Sequence, residues 1–269
     1  MKDDKLGLWS STSLVIGNMV GSGIFLLPAS LAIYGTISII GWLFSSVGAI
    51  LLALVFGELS KISNKNPGGP YYYTRKSFGD LPAFLVAWGY WISIWCTNAA
   101  ITVALLGYLG VLFPELNSNP ILSICTGLFF IWFFTWINSR KINTIGLVQT
   151  VTTALKIIPI VFIGFIGLFY IDFSNFYPFN ASDQSNFEAI TATTTLTFFA
   201  FLGMESATIP SDKVNNASQT IKKATIYGTL FTIIIYLMST ISIMGLIPLD
   251  DLANSNAPFA DAAEIISGS

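Results

Sequence analysis

Two glycines and a serine interrupt the first long apolar stretch of the sequence, at Gly21-Ser22-Gly23. Each glycine costs a helix about 1 kcal/mol relative to alanine, and lipid tolerates a broken helix only where the freed backbone groups face protein or a cavity. A break here leaves a half-helix whose first N–H groups are bare and whose dipole end is positive. Such an end can receive an anion, for example a carboxylate. The alternative is that the glycines only allow neighbouring helices to pack closely.

A second apolar stretch, 197–207, carries Gly203 and Glu205 near its middle. Ionisable residues at membrane depth are candidates for function, although Glu205 could do no more than bond a neighbouring helix end. The two interrupted stretches are five spans apart, as expected of an inverted repeat of five helices whose broken members meet at the midplane. N–H groups freed in the first stretch would hold a carboxylate, and carbonyls freed in the sixth would hold an ammonium. An α-amino acid carries both charges.

Membrane spans are the elements that must position these residues. Of the 269 residues, 54% are hydrophobic and 10% are charged, whereas soluble domains carry about 25% charged residues. The sequence therefore predicts an all-α integral membrane protein that contacts the lipid bilayer. At about 20 apolar residues per crossing, seven segments are long enough to span, roughly 8–33, 38–61, 82–112, 120–138, 146–171, 188–210 and 224–247.

The basic residues predict the orientation of these spans. If the spans alternate, eleven of the twelve lysines and arginines fall on one side, and the loops of the other side carry carboxylates only. The positive-inside rule then predicts a multi-pass protein of the cell (inner) membrane with a cytoplasmic N-terminus. The eleven are Lys2, Lys5, Lys61, Lys65, Arg75, Lys76, Arg140, Lys141, Lys213, Lys222 and Lys223.

Several classes of chemistry are disfavoured by composition. The sequence has no histidine, which excludes histidine-based triads, relays and metal sites. No nucleophile–base pair is visible in the spans, so we expect no enzyme, no cofactor and no nucleic-acid partner. Cys96 and Cys125 both fall in apolar segments and are predicted to be packed thiols rather than a disulfide.

Six motifs run in order along the whole chain. They are Gly17-Asn18-x-x-Gly21-Ser22-Gly23-Ile24-Phe25-x-x-Pro28, Gly57-Glu58-Leu59-Ser60, Pro67-Gly68-Gly69-Pro70-Tyr71-x-Tyr73, Phe78-Gly79, Phe201-x-Gly203-x-Glu205-Ser206 and Ala257-Pro258-Phe259. Together they resemble the amino acid–polyamine–organocation superfamily, most closely its bacterial basic amino acid and polyamine antiporters of the arginine–agmatine and arginine–ornithine type. The resemblance implies a five-helix inverted-repeat, leucine-transporter-like fold with helices 1 and 6 broken. It also implies secondary active transport of amino acids by alternating access.

The resemblance implies that backbone groups at the two breaks bind the charged groups of a substrate. N–H groups of the first break would hold the carboxylate, and carbonyls of the second would hold the α-ammonium. The implied residues are Asn18, Gly21, Ser22 and Gly23 for the carboxylate, and Ala200 and Gly203 for the ammonium.

The resemblance also implies roles for side chains. Asn98 would touch the substrate side chain, with Ser93 in the same pocket, and Tyr90 and Glu205 would form part of the inner gate. Phe199 stands where the arginine–agmatine antiporter has a tryptophan that stacks on the guanidinium, and phenylalanine offers a weaker cation–π face. The substrate is therefore left open among arginine, ornithine, lysine and a neutral amino acid.

Lys156 lies inside the fifth span, where those antiporters lack a lysine. It resembles instead sodium-independent members in which a fifth-helix lysine occupies the place of a sodium ion. The amine would bridge freed carbonyls of the broken first helix and could take up and release a proton. The alternative is that Lys156 only joins two helices, or reaches out of a span whose edges are misplaced.

The family fold has ten core helices in two inverted repeats, so this chain is predicted to be incomplete. We expect the first repeat at 1–171, an extracytoplasmic loop at 172–187, the start of the second repeat at 188–247 and an extracytoplasmic acidic tail at 248–269. The chain would then be a truncated or split gene product, or a fragment. Antiport and proton-coupled uptake both stay open. The rival hypothesis is a non-transporting remnant, or a subunit that needs a second chain to supply the missing helices; a homodimer is also open.

Overall fold

The computed structural model describes residues 5–63, 66–139 and 142–268. Over these ranges the chain is helical, and its only extended pairing is an isolated bridge between Leu6 and Val214. The α-helices in these ranges are α1 (Leu8–Met19), α2 (Ser22–Ala32), α3 (Ser38–Ser63), α4 (Pro70–Phe78), α5 (Asp80–Leu112), α6 (Glu115–Ser118), α7 (Pro120–Asn138), α8 (Ile142–Ile166), α9 (Asn186–Phe199), α10 (Ala217–Leu246), α11 (Leu249–Ala253) and α12 (Pro258–Ser267).

Seven stretches of the described chain are long and apolar enough to cross a membrane, which confirms the predicted number. The largest boundary error is at the seventh span, which begins at Ala217 rather than near 224. Lys222 was expected in a loop but lies in this helix, where it forms an ion pair with Glu58 of α3. The polar first turns of this helix are held by such contacts with α3, so hydropathy alone does not predict where the helix begins.

Charge separates the two ends of the bundle. At one end Leu6 N–H donates to the carbonyl of Lys213 at 2.8 Å, and Gly68 N–H donates to that of Ile209 at 3.0 Å. We call this the basic end; its described basic residues are Lys5, Lys61, Arg75, Lys76, Lys213, Lys222 and Lys223. Lys2, Lys65, Arg140 and Lys141, which also entered the orientation prediction, lie outside the described residues.

The opposite end is held together by loop contacts. Thr36 Oγ1 donates to the Phe176 carbonyl at 2.6 Å, and Asp172 N–H donates to that of Gly245 at 2.9 Å. None of the described lysines and arginines lies here. We call it the acidic end, after Glu115, Asp172, Asp183, Asp250, Asp251, Asp261 and Glu264.

Helix α10 forms the centre of the bundle and packs against α1, α3 and α8. Small residues allow the close approach: a Cβ on Gly228 would lie 2.7 Å from Val15, and one on Gly164 would lie 3.2 Å from the Ser239 backbone. Such contacts replace the hydrophobic driving force that is missing between helices in lipid. The centre of the bundle is therefore rigid where the broken helices meet it.

Helices α5 and α7 are much less covered, with 11% and 6% of their most apolar windows buried in the described structure. Cys96 and Cys125 lie on these two helices with free thiols. The absence of a disulfide was predicted, but both residues are exposed rather than packed, because few described neighbours cover this side. One wall of the bundle is thus open.

The predicted acidic tail folds back onto the bundle. Helices α11 and α12 contact α2, and α12 also contacts α8 and α10. Leu252 and Ala262 are fully buried in these contacts, and Phe259 nearly so. The segment has four carboxylates and no lysine or arginine, so it was interpreted as a polar tail and its apolar face was missed.

Candidate binding site at the two broken helices

The first span is broken where the sequence predicts. Helix α1 ends at Met19, Gly21 is extended (φ −114°, ψ −152°), and α2 begins at Ser22. Because first-turn N–H groups have no partner in their own helix, those of Gly23 and Ile24 stand at the positive end of α2. The side chain of Ser22 lies outside what the structure describes.

Donors from two other helices occupy the carbonyls freed at the end of α1. Lys156 Nζ on α8 donates to the carbonyls of Gly17 and Val20, each at 2.8 Å. Tyr236 Oη on α10 donates to the Met19 carbonyl at 2.6 Å and lies 3.4 Å from that of Ala200. The predicted contact of Lys156 with the break is therefore present. Tyr236 was missed, because a lone tyrosine in an apolar helix carries no motif.

The second break lies between Phe199, where α9 ends, and a 3₁₀ turn at Met204–Thr208. Gly203 adopts a left-handed conformation (φ 106°) that L side chains rarely adopt. Its N–H donates to Glu205 Oε2 at 3.1 Å. The start of the break is fixed to α3 because Thr197 Oγ1 bonds Ser45 Oγ at 2.8 Å.

The two breaks lie directly against each other. A Cβ on Gly203 would lie 2.8 Å from the carbonyl carbon of Asn18, closer than real Cβ atoms come. A Cβ on Gly23 would lie 3.6 Å from Ala200 Cα, an ordinary contact. Gly203 is therefore required by both space and conformation, whereas Gly23 is required by neither.

A cavity of about 370 Å³ lies beside the breaks. Phe56 and Pro70 line it, so it extends toward the basic end. The side chains of Tyr90 and Glu205 interact electrostatically within it. Six predicted site residues are brought together in its wall: Asn18, Tyr90, Ser93, Asn98, Gly203 and Glu205. Sequence reasoning missed Thr97 and Phe198, which also line it.

Four other predicted substrate-binding residues lie outside the cavity wall. Gly21, Gly23 and Ala200 are at the breaks but do not line the cavity. Phe199 is 42% exposed and points elsewhere, while Phe198 lines the cavity. Successive helical residues face directions about 100° apart, so a difference of one position decides which ring is inside. Of these two neighbouring rings, Phe198 is the one that lines the cavity.

An aromatic cluster lies between the first break and the acidic end. Tyr108 Oη on α5 donates to the Phe25 carbonyl on α2 at 2.9 Å, and accepts from Phe259 N–H on α12 at 3.4 Å. The Phe25 ring packs edge-on against both Tyr108 and Phe259, with centroids 5.6 and 5.2 Å apart. One hydroxyl thus connects three helices above the first break.

We expect Tyr108→Phe to keep the ring contacts and lose this connection. The free energy of unfolding should fall by about 1 kcal/mol, the usual net value of a hydrogen bond, and water should reach α2 more readily. Thermal unfolding and hydrogen exchange of α2 and α12 measure the two effects. Tyr170→Phe, at an exposed tyrosine, is the control. Unchanged exchange in α2 would show that the hydroxyl does not close this side.

Comparison with known proteins bears on what such a site binds. A protein-family model described as amino acid permease matches residues 6–268. The chain belongs to the amino acid permease family. The names of the family and its relatives are those of transporters, not enzymes, and with seven candidate spans the chain is a multi-pass membrane protein.

Three relatives illustrate the range of the family. Putrescine transporter PotE of Haemophilus influenzae is 37% identical over 259 residues, 96% of this chain and 59% of the relative. The cadaverine/lysine antiporter of Escherichia coli is 35% identical, covering 98% of this chain and 59% of the relative. A putative arginine/ornithine antiporter of Bacillus subtilis is 34% identical, covering 98% and 62%. The chain thus spans about three fifths of the length of these relatives.

Proposed function

We propose that the two breaks form the substrate site of a secondary transporter of amino acids. The N–H end of α2 would hold the carboxylate, and carbonyls around Gly203 would hold the α-ammonium. The observation that carries this proposal is the direct contact between the breaks at Asn18 and Gly203. The N–H end of α2 and the carbonyls around Gly203 would present opposite partial charges beside the cavity, which suits a small zwitterion.

The cavity favours a substrate with a second amine. Glu205 supplies a carboxylate and Phe198 an aromatic face, both in the cavity wall, and a cation over an aromatic ring gains about 0.5–2 kcal/mol. Relatives are named for putrescine, cadaverine, lysine, arginine and ornithine. We propose a cationic amino acid, with a diamine as exchange partner.

Alternating access requires that only one side of the site be open at a time. The cavity extends toward the basic end, and we propose that Tyr108, bonded to the Phe25 carbonyl, and its neighbours close the other side. With basic loops on the cytoplasmic side, the N-terminus would be cytoplasmic and this state would face inward. The predicted division of the chain is also part of this proposal: a first repeat at 1–171 and the start of a second repeat at 188–247.

Binding to the purified chain tests the site. Radiolabelled lysine and cadaverine should bind saturably, and Asn98→Ala should raise Kd about tenfold or more, because a hydrogen bond to a charged group contributes about 1.5–3 kcal/mol. Asn254→Ala, whose side chain bonds the Asp250 carbonyl at the acidic end, is the matched control. Equal affinities for both variants would contradict the placement of the substrate in this cavity.

A second candidate function is a binding subunit that requires further polypeptide. Its support is the open wall formed by α5 and α7, next to which the cavity lies. A second chain, or a second copy of this one, would cover that wall. Reconstitution into proteoliposomes separates the candidates: saturable binding without uptake favours the subunit, and uptake by the chain alone favours the transporter.

A further inference from the structure

A second concave surface lies at the basic end, lined by other residues than the substrate cavity. It is a groove of about 340 Å³ between the ends of α3 and α10. Its polar wall consists of Lys61, Ser218, Gln219, Lys222, Lys223 and Tyr227. No role in substrate binding follows from its position, because none of these residues lines the cavity at the breaks.

The groove carries excess positive charge. Glu58 accepts from Lys61 Nζ at 2.6 Å and also pairs with Lys222, so two of the three lysines that line the groove share one carboxylate. Among the described residues, no carboxylate lies within ion-pair distance of Lys223. The shared carboxylate fixes the two helix ends together, and the remaining charge is available to an anion.

The flanks of the groove are apolar and exposed. On α10, Tyr227, Leu230 and Ile234 follow Lys223 at helical spacing along one face, and all three are exposed. A continuous apolar face below a basic groove is what a membrane helix presents to lipid tails.

Helix α3 presents a matching face. Two contacts fix the antiparallel register of the pair: Ser38 with Met244, and Gly57 with Lys222. This register sets the exposed residues of α3 level with those of α10. They are Val47, Leu51 and Leu54, which lead to Lys61.

The dimensions suit one leaflet of a bilayer. From Lys223 to Ile234 the helix rises about 16 Å at about 1.5 Å per residue, about half of the hydrocarbon thickness of about 30 Å. Basic pockets between spans at a membrane surface bind anionic lipid headgroups. We propose that this groove binds the phosphate headgroup of an anionic glycerophospholipid, with its acyl chains lying along the apolar faces of α3 and α10.

The test measures lipid binding to the purified chain in detergent by native mass spectrometry. Dioleoyl phosphatidylglycerol should bind in preference to dioleoyl phosphatidylcholine. The double variant Lys61→Gln/Lys223→Gln should weaken phosphatidylglycerol binding about 25-fold, because each lysine near the surface contributes about fivefold. Lys222 is left in place, so the ion pair between Lys222 and Glu58 that joins α10 to α3 is preserved.

Two further variants make the result specific. Lys213→Gln removes one positive charge from the basic end but lies outside the groove, and should bind phosphatidylglycerol like the unaltered chain. Lys223→Arg keeps the charge and should also bind. Equal losses in Lys213→Gln and in the double variant would mean diffuse attraction and would overturn the proposal, as would full binding by a double variant that elutes and unfolds normally.

Two competitors identify the source of the phosphate. Inorganic phosphate and dihexanoyl phosphatidylglycerol should displace the dioleoyl lipid poorly, because neither can occupy the apolar faces. Displacement by inorganic phosphate as readily as by dioleoyl phosphatidylglycerol would mean that the groove takes a soluble phosphate, and the lipid proposal would be wrong.

Discussion

Gly203→Ala should abolish substrate binding and lower the thermal stability of the chain. At φ 106° a side chain is strained by about 1–3 kcal/mol. The added Cβ would also lie 2.8 and 2.9 Å from the carbonyl carbon and oxygen of Asn18. These are backbone atoms, so no rotamer change relieves the overlap, and the two breaks must separate. Thermal unfolding with and without lysine, together with radioligand binding, measures both effects.

The control for this variant is Gly89→Ala. Gly89 lies within α5 beside Tyr90, and a Cβ there meets nothing within 4 Å. Alanine is favoured over glycine in a helix by about 1 kcal/mol, so this variant should be at least as stable as the unaltered chain and should bind substrate normally. If Gly203→Ala behaves like Gly89→Ala, contact between the breaks is not what forms the site.

The breaks could be predicted from sequence because they depend on local chemistry. Gly21 and Gly23 disfavour helix whatever surrounds them, and Gly203 beside the ionisable Glu205 stands out in an apolar stretch. The seven spans follow from hydropathy for the same reason. The lysines and arginines of the loops distinguished the basic end from the acidic end, because the orientation of membrane spans depends on the charge of their loops.

Packing inside the membrane could not be predicted in the same way. The faces of α10 that meet lipid and protein are both apolar, so the sequence does not show that Tyr236 points into the bundle at Met19 rather than outward. The choice between Phe198 and Phe199 depends on the angle at which α9 ends. Tyr108 depends on a contact across 151 residues with Phe259. Each of these is fixed by tertiary geometry alone.

Lys156→Met should destabilise the first break and remove any dependence of substrate binding on Lys156 protonation. Methionine matches the length of the side chain but donates no hydrogen bond, so the carbonyls of Gly17 and Val20 lose their partner. Each unsatisfied buried acceptor costs about 1–3 kcal/mol. Thermal unfolding measures this loss, and lysine binding across a range of pH measures the coupling.

Stability alone cannot separate a lysine that joins helices from one that also carries a proton, and Tyr236→Phe provides the comparison. It removes the donor to the Met19 carbonyl at the same break and leaves the amine in place. If Lys156 is the coupling group, binding should vary with pH in the unaltered chain and in Tyr236→Phe, and should become independent of pH in Lys156→Met. If the pH dependence survives in Lys156→Met, or is absent from the unaltered chain, the amine only joins α8 to α1 and the coupling hypothesis is wrong.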